Sequence, residues 1–174
     1  MTLDMTKIAL IGYMGSGKST IARILSDKLS MDFLDLDEFI EREMKMSITE
    51  IFDRYGVIKF RKIESEMLLK VARIQDDIIL SVGGGTPVYG DNMKILNQYF
   101  TTIYLRANVP TLYKRLANEK EHRPLIARVA DQDLAEFIGK HLFERTAYYE
   151  QSKFIVDVNA KSAVEISTAC IELL

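Results

Sequence analysis

Gly12-Tyr13-Met14-Gly15-Ser16-Gly17-Lys18-Ser19 has the spacing G-x-x-x-x-G-K-[ST], a cradle for phosphate groups. Glycine lets backbone N–H groups turn toward an anion with no Cβ in the way. Lys18 supplies a point charge for β- and γ-phosphates, and Ser19 offers a hydroxyl to Mg²⁺. The flanks fit that reading. Lys7-Ile8-Ala9-Leu10-Ile11 is a short apolar run of the kind that forms a buried parallel strand, and Ser19 to Leu29 sets Ile21, Ile24, Leu25 and Leu29 on one helical face. The loop therefore joins a strand to a helix, a context that an incidental glycine-rich turn does not require.

Length and composition bound what the loop can belong to. At 174 residues the chain can build one substantial core and is short for two, so residues 1–174 are read as a single domain. A content of 48% hydrophobic and 28% charged residues is that of a globular protein, and no apolar stretch approaches the length of a membrane span, which argues against a membrane role. No secretory signal is read before Lys7, and Cys170 is the single cysteine; both fit a reducing cytoplasm. Its apolar neighbours Ile166, Ala169, Ile171 and Leu174 make Cys170 a packed thiol rather than a nucleophile. A net charge of -2 gives no general attraction to nucleic acid or anionic lipid, leaving small molecules as the expected partners.

The order of elements extends the pattern. Asp32 to Asp37 reads as a second short strand ending in carboxylates, and Glu38 to Lys45 as a helix. Ser47-Ile48-Thr49-Glu50 matches a capping box that starts another short helix ended by Gly56. Phe60 through Arg73 is a longer helix carrying Ile63, Met67, Leu68 and Val71, and Ile78 to Val82 is a third buried strand running into Gly83-Gly84-Gly85. Thr102 to Leu105 and Phe154 to Val158 supply a fourth and a fifth. Such βα alternation implies a mainly parallel sheet with helices on both faces and ligands at the carboxyl ends of the strands. Ala117 to Pro124 is charged and aperiodic; after the fourth βα unit, and bracketed by Arg115 and Arg123, it reads as a closing loop.

The same carboxyl ends hold candidates for a second substrate. In an extended strand Asp35 and Asp37 would share a side, ~7 Å apart from Cα to Cα, so that one serves Mg²⁺ and the other an acceptor hydroxyl. Arg61 and Glu64 are three apart on a helix, where the carboxylate can hold the guanidinium. A surface ion pair at that spacing would be worth little, but the glycines at Gly83, Gly84 and Gly85 expose backbone N–H groups and leave room for a ligand wall.

Several of these stretches stand together: Gly12 to Thr20, Asp35-Leu36-Asp37, Phe60-Arg61-Lys62-Ile63-Glu64, Gly83-Gly84-Gly85, Arg123-Pro124-Leu125, and Glu144-Arg145-Thr146-Ala147-Tyr148-Tyr149. In order and approximate spacing, over nearly the whole chain, they resemble the shikimate kinases, small P-loop kinases of the nucleoside-monophosphate-kinase-like group. The resemblance implies an α/β three-layer P-loop fold with a five-stranded parallel sheet and a lid loop at approximately 114–128. It places a substrate-binding helical region at approximately 38–62. It implies ATP-dependent phosphorylation of the 3-hydroxyl of shikimate, on the route to chorismate and aromatic amino acids, by a cytoplasmic enzyme that tends toward monomers. Catalytic roles then fall to Lys18, Asp37 and Arg123. ATP is assigned to Gly15, Ser16, Gly17, Lys18, Ser19, Thr20, Arg115, Arg123 and Lys161, with Arg115 at an adenine-stacking position and the turn Asn159-Ala160-Lys161 over the base. Shikimate is assigned to Asp37, Arg61, Gly83, Gly84, Gly85 and Arg145, with the arginines on its carboxylate and Phe52 and Phe60 as apolar walls. Mg²⁺ is assigned to Ser19 directly and to Asp35 through water.

Two departures accompany the resemblance. Gly56 is followed by Val57-Ile58-Lys59, where the family often has an acidic residue, and Arg145-Thr146-Ala147-Tyr148-Tyr149 stands where Arg-x-Pro-Leu-Tyr is common, which predicts a less restrained backbone after Arg145. Among alternatives, a gluconate or nucleoside monophosphate kinase is disfavoured by Asp37, Arg61 and Arg145, which suit a polyhydroxy ring acid. A different class is a GTP switch or a nucleotide-binding module without turnover; the chain contains no Asn-Lys-x-Asp guanine reader, which counts against the switch. A Ser/His/Asp hydrolase would have only His122 and His141, neither in a recognisable setting.

Overall fold

A computed structural model describes residues 6–174, apart from the side chains of His122 and Pro124. The secretory reading of the amino terminus falls partly on residues 1–5, outside the described ones. Strands β1 (Lys7–Ile11), β2 (Asp32–Asp35), β3 (Ile78–Ser81), β4 (Thr101–Arg106) and β5 (Phe154–Asp157) alternate with helices. The helices are α1 (Lys18–Leu29), α2 (Leu36–Met44), α3 (Ile48–Ala72), α4 (Asn92–Tyr99), α5 (Val109–Ala117), α6 (Pro124–Ala127), α7 (Leu134–Tyr149) and α8 (Ala163–Ile171). The strands form one five-stranded sheet in the order β2-β3-β1-β4-β5. Every pairing is parallel, and the register sets Asp35 beside Ser81 and Leu10 between Ser81 and Ile103.

Strand order fixes the layers. From β1 the chain steps outward to the β2 edge, and every later crossover runs the opposite way across the sheet. Right-handed crossovers therefore put α1 on one face and α3, α4, α5 and α7 on the other. After β5, α8 returns to lie against α1, completing three layers. The central β1 is buried on both faces, with Ile8, Ala9, Leu10 and Ile11 all at 0% exposure, as expected of a strand covered by helices on each side. Cys170 is buried in this core, and burial pushes its thiol up to about 11.

Three local expectations need correction. The second strand stops at Asp35, because its carboxylate caps α2 by accepting from the backbone N–H of Asp37 at 2.9 Å and of Glu38 at 3.3 Å. Asp37 thus lies in the first turn of a helix, not two residues along an extended strand. The capping box at Ser47 and Glu50 is present, and Gly56 does interrupt the helix, with φ 75° and ψ 170°. Helical structure resumes at once rather than at Phe60, so α3 is a long element kinked at one residue, with Val57 and Ile58 exposed. The backbone after Arg145 is also restrained without proline: α7 continues helical to Tyr149, whose hydroxyl donates to Gly84 O at 2.6 Å.

Candidate active site

The glycine-rich loop closes on itself over the amino terminus of α1. Gly17 is the N-cap residue at φ 99°, a left-handed conformation, and no side chain caps the helix. The first-turn N–H groups, which no intrahelical carbonyl can reach, are thereby left to an anion. Lys18 Nζ donates to Gly12 O at 2.7 Å and Tyr13 O at 2.9 Å, which folds the side chain back along the loop. A Cβ on Gly12 would stand 2.9 Å from Leu105 O and 2.7 Å from Ser16 Oγ, so the loop needs glycine there. Burial, reinforced by Arg123 and opposed by Asp37 and Asp35, lowers Lys18 to about 8. Ser16 is fully buried, and its hydroxyl has no partner within the protein.

Beyond Lys18 a cleft of about 440 Å³ runs from this loop to the carboxyl ends of β2 and β3. Ser19 Oγ lies 3.3 Å from Asp35 Oδ2 and 3.4 Å from Ser81 Oγ, bringing hydroxyls and a carboxylate together at the edge of the phosphate cradle. Asp37 lines the cleft too. Burial first, then the carboxylates of Asp35 and Glu64, raise it to about 6, with Lys18 pulling the other way.

Arginines flank the glycine run. Arg61 Nη1 donates to Glu64 Oε2 at 2.6 Å, and Glu64, 1% exposed, also accepts from Thr86 Oγ1 at 2.7 Å. A buried acceptor held by a second donor makes this a fixed mount rather than a loose surface pair. A Cβ on Gly85 would fall 2.3 Å from Arg61 Nη2, and one on Gly84 would fall 3.2 Å from Arg145 Nη1. Both guanidinium groups therefore rest close against glycine backbone, where a Cβ would push them out of place. Phe60 stacks on Phe52 at 4.3 Å and lies under Arg61, 5.3 Å from its guanidinium carbon.

At the opposite end of the cleft, Arg115 Nη1 donates to Gly15 O at 3.0 Å, so it braces the phosphate loop, and Lys161 lines the same wall. The segment expected as an irregular loop is made of short helical turns: Lys120–His122 is a 3-10 turn and α6 follows. Arg123 lines the cleft and is held by Glu119 through Nε at 2.9 Å and Nη2 at 2.5 Å.

Gly15 to Thr20, Asp35, Asp37, Gly83, Gly84, Arg115, Arg123 and Lys161 line this cleft; Arg61, Gly85 and Arg145 adjoin its glycine wall, and Phe52 and Phe60 lie behind Arg61 rather than in the lining. Sequence reasoning overlooked Ser81, Thr86, Glu119, Tyr149 and His141. Ser81 had a visible signal, a hydroxyl inside an apolar strand; His141 had none, since nothing local shows that α7 brings it within 2.9 Å of Tyr13.

Residues 14–174 match the family model described as shikimate kinase. The shikimate kinase of Flavobacterium johnsoniae is 43% identical over 171 residues, 98% of this chain and 99% of that one. Among solved structures, a shikimate kinase from Bacteroides thetaiotaomicron superposes with a TM-score of 0.90 at 32% identity, covering 97% of this chain and 98% of that one. The shikimate kinase from Acinetobacter baumannii in complex with shikimate has a TM-score of 0.87 at 29% identity, covering 98% and 93%.

Proposed function

Because this chain belongs to the shikimate kinase family, we infer that it carries the γ-phosphate of ATP to the 3-hydroxyl of shikimate, giving shikimate 3-phosphate and ADP. It is an ATP-dependent kinase of the route to chorismate and the aromatic amino acids. The observation that best supports a division of labour within it is one continuous cleft, with Lys18 at the phosphate end and Asp37 and the glycine wall at the other.

In this reading the loop from Gly15 to Thr20 cradles the triphosphate, and Lys18 and Arg123 neutralise charge on the phosphoryl group in flight. Asp37 orients the acceptor hydroxyl and takes its proton. A carboxylate at about 6 is ionised at neutral pH yet more basic than an ordinary one, which suits that task. Arg61 and Arg145 clamp the substrate carboxylate, the planar guanidinium matching it two oxygens at a time. Gly83, Gly84 and Gly85 form the wall between the arginines. Phe52 and Phe60 back the clamp from the core, while Arg115 and Lys161 border the space for adenine.

Mg²⁺ fits the donor set. Ser19 and Asp35 offer oxygen ligands only, and the described residues contain no group of three His, Cys, Asp or Glu side chains that would make a closed metal cage. A cation held by Ser19, by Asp35 through water and by phosphate oxygens would supply charge neutralisation on the triphosphate. Residues 114–128 would act as the lid. Arg123 already lines the cleft while Glu119 holds its Nε and Nη2, so its guanidinium is oriented at the edge of the phosphate space. We read the protein as a cytoplasmic monomer with no nucleic-acid or membrane partner. The net charge of -2 gives no general attraction to nucleic acid or anionic lipid, and no described helix is long and apolar enough to cross a membrane.

A coupled ADP-release assay tests the assignment. Turnover should require shikimate, and turnover with gluconate or a nucleoside monophosphate in its place would overturn it. Arg61→Ala should weaken shikimate binding by roughly 10-fold or more while leaving nucleotide affinity nearly intact, as for a lost charge-assisted pair. Equal loss of both would remove Arg61 from the clamp.

A further inference from the structure

Tyr13 and His141 make a contact for which the transfer reaction has no use. Tyr13, 1% exposed within the phosphate loop, has its hydroxyl 2.9 Å from His141 Nδ1 on α7, with the rings edge to face at 5.5 Å and 88°. Burial pushes Tyr13 up to about 12 and holds His141 below the ordinary imidazole value. The phenol therefore keeps its proton beside a neutral ring, and the two share one hydrogen bond whose direction follows the tautomer of the ring. Phe137, one turn earlier on α7, closes the other side of the imidazole at 5.4 Å.

One turn later on the same helix stands Arg145, with its guanidinium carbon 5.8 Å from the centre of the Tyr13 ring and Nη1 against Gly84. The phenol ring is thus held at its tip by His141 and presents its face to the clamp arginine. Tyr13 is also the residue between Gly12 and Met14, whose backbone atoms border Gly84 from the other side. A shift of the ring would be felt where the arginine is aimed.

We propose that His141 is a positioning residue for the carboxylate clamp: by its hydrogen bond with the Tyr13 hydroxyl it fixes the ring against which Arg145 is set. This rests on the reading of Arg145 as a ligand of the substrate carboxylate. Without that partner the buried hydroxyl is left unpaired, the ring moves to find another, and Arg145 loses a defined cation–π surface. The carboxylate is remote from the transferred phosphoryl group, so the loss falls on binding common to ground and transition states. It raises KM and leaves kcat in place.

The test uses the full-length enzyme, with calorimetric shikimate titrations beside steady-state kinetics. His141→Leu should weaken shikimate ~3- to 10-fold in both Kd and KM, with kcat and the KM for ATP within about twofold of wild type. His141→Asn, whose amide can place an oxygen near the Nδ1 position, should recover most of the loss. Tyr13→Phe should reproduce the His141→Leu effect and add nothing to it in the double variant. Unchanged shikimate affinity in His141→Leu beside a clear loss in Arg145→Ala would overturn the proposal and leave the clamp standing. An additive double variant, or equal losses for shikimate and ATP, would also overturn it. Should Arg145→Ala itself bind shikimate normally, the clamp fails and the proposal with it. If His141→Leu does not fold, Tyr13→Phe and His141→Asn decide by the same split.

Discussion

Asp37 combines burial with neighbouring carboxylates, and both make its ionised form costly. Its folded value of about 6 lies above the ordinary aspartate value of 3.8, so between those values the folded state holds a proton that the unfolded chain releases. This group's contribution to stability therefore falls as pH rises from about 4 to about 6 and stays low above that. Asp37→Asn should be more stable than wild type at pH 7.5, by on the order of 2–3 kcal/mol, and equal to it near pH 3.5, as thermal melts at the two pH values would show. The same variant should lose ~10²- to 10⁴-fold in kcat, the usual worth of a positioned base. In wild type, kcat/KM should be bell-shaped, with an acid limb near about 6 from Asp37 and an alkaline limb near about 8 from Lys18. A flat profile between pH 5 and 7 would remove Asp37 from the role of base. The identities of these residues were legible in the sequence, but the cause of their shifted values was not. Asp35, Glu64 and Arg123 are distant in the chain or point elsewhere until the fold brings them in.

At the scale of elements, the kink in α3 shows how one residue directs two. Gly56 has a φ and ψ of 75° and 170°, a region open in practice only to glycine, and nothing lies within 4 Å of where a Cβ would be. Gly56→Ala should therefore be destabilising through backbone strain alone, by ~1–3 kcal/mol. It should also weaken shikimate more than ATP, since the kink brings Phe52 onto Phe60 beneath Arg61. A calorimetric titration with each ligand checks the split; unchanged stability would mean that the helix straightens without penalty. The capping box at Ser47 and the stop at Gly56 could be read locally because both depend on side chains or conformations a few residues apart. The immediate restart at Val57 could not, since Val57 and Ile58 are β-branched and exposed, with neither propensity nor apolar periodicity to announce a helix. Likewise Asp35-Leu36-Asp37 alternates as a strand would, yet capping by Asp35 turns it into a helix start.

For the whole molecule, the cleft lies at the carboxyl ends of the central strands, so ligands bridge elements from both halves of the sheet order. Nucleotide at 100 times its Kd should add ~2.7 kcal/mol to stability, a rise of ~5–10 °C in Tm for a chain of this size, in a single transition. A thermal melt with ADP checks this, and a second, unshifted transition would show that part of the chain melts apart from the sheet. The strand–loop–helix of the phosphate cradle and the parallel α/β order were determined by sequence alone. They rest on short-range signals: glycine at fixed spacing, apolar periods of two and three to four, and charged groups just past strand ends. Only the tertiary structure decided which of those groups meet. It mounted Arg61 on a buried Glu64 held by Thr86, tied Arg123 to Glu119, braced Gly15 with Arg115 and set His141 under Tyr13. The physical reason is that such contacts join residues separated in the chain, with energies fixed by burial and approach distance, and neither quantity exists before the layers close.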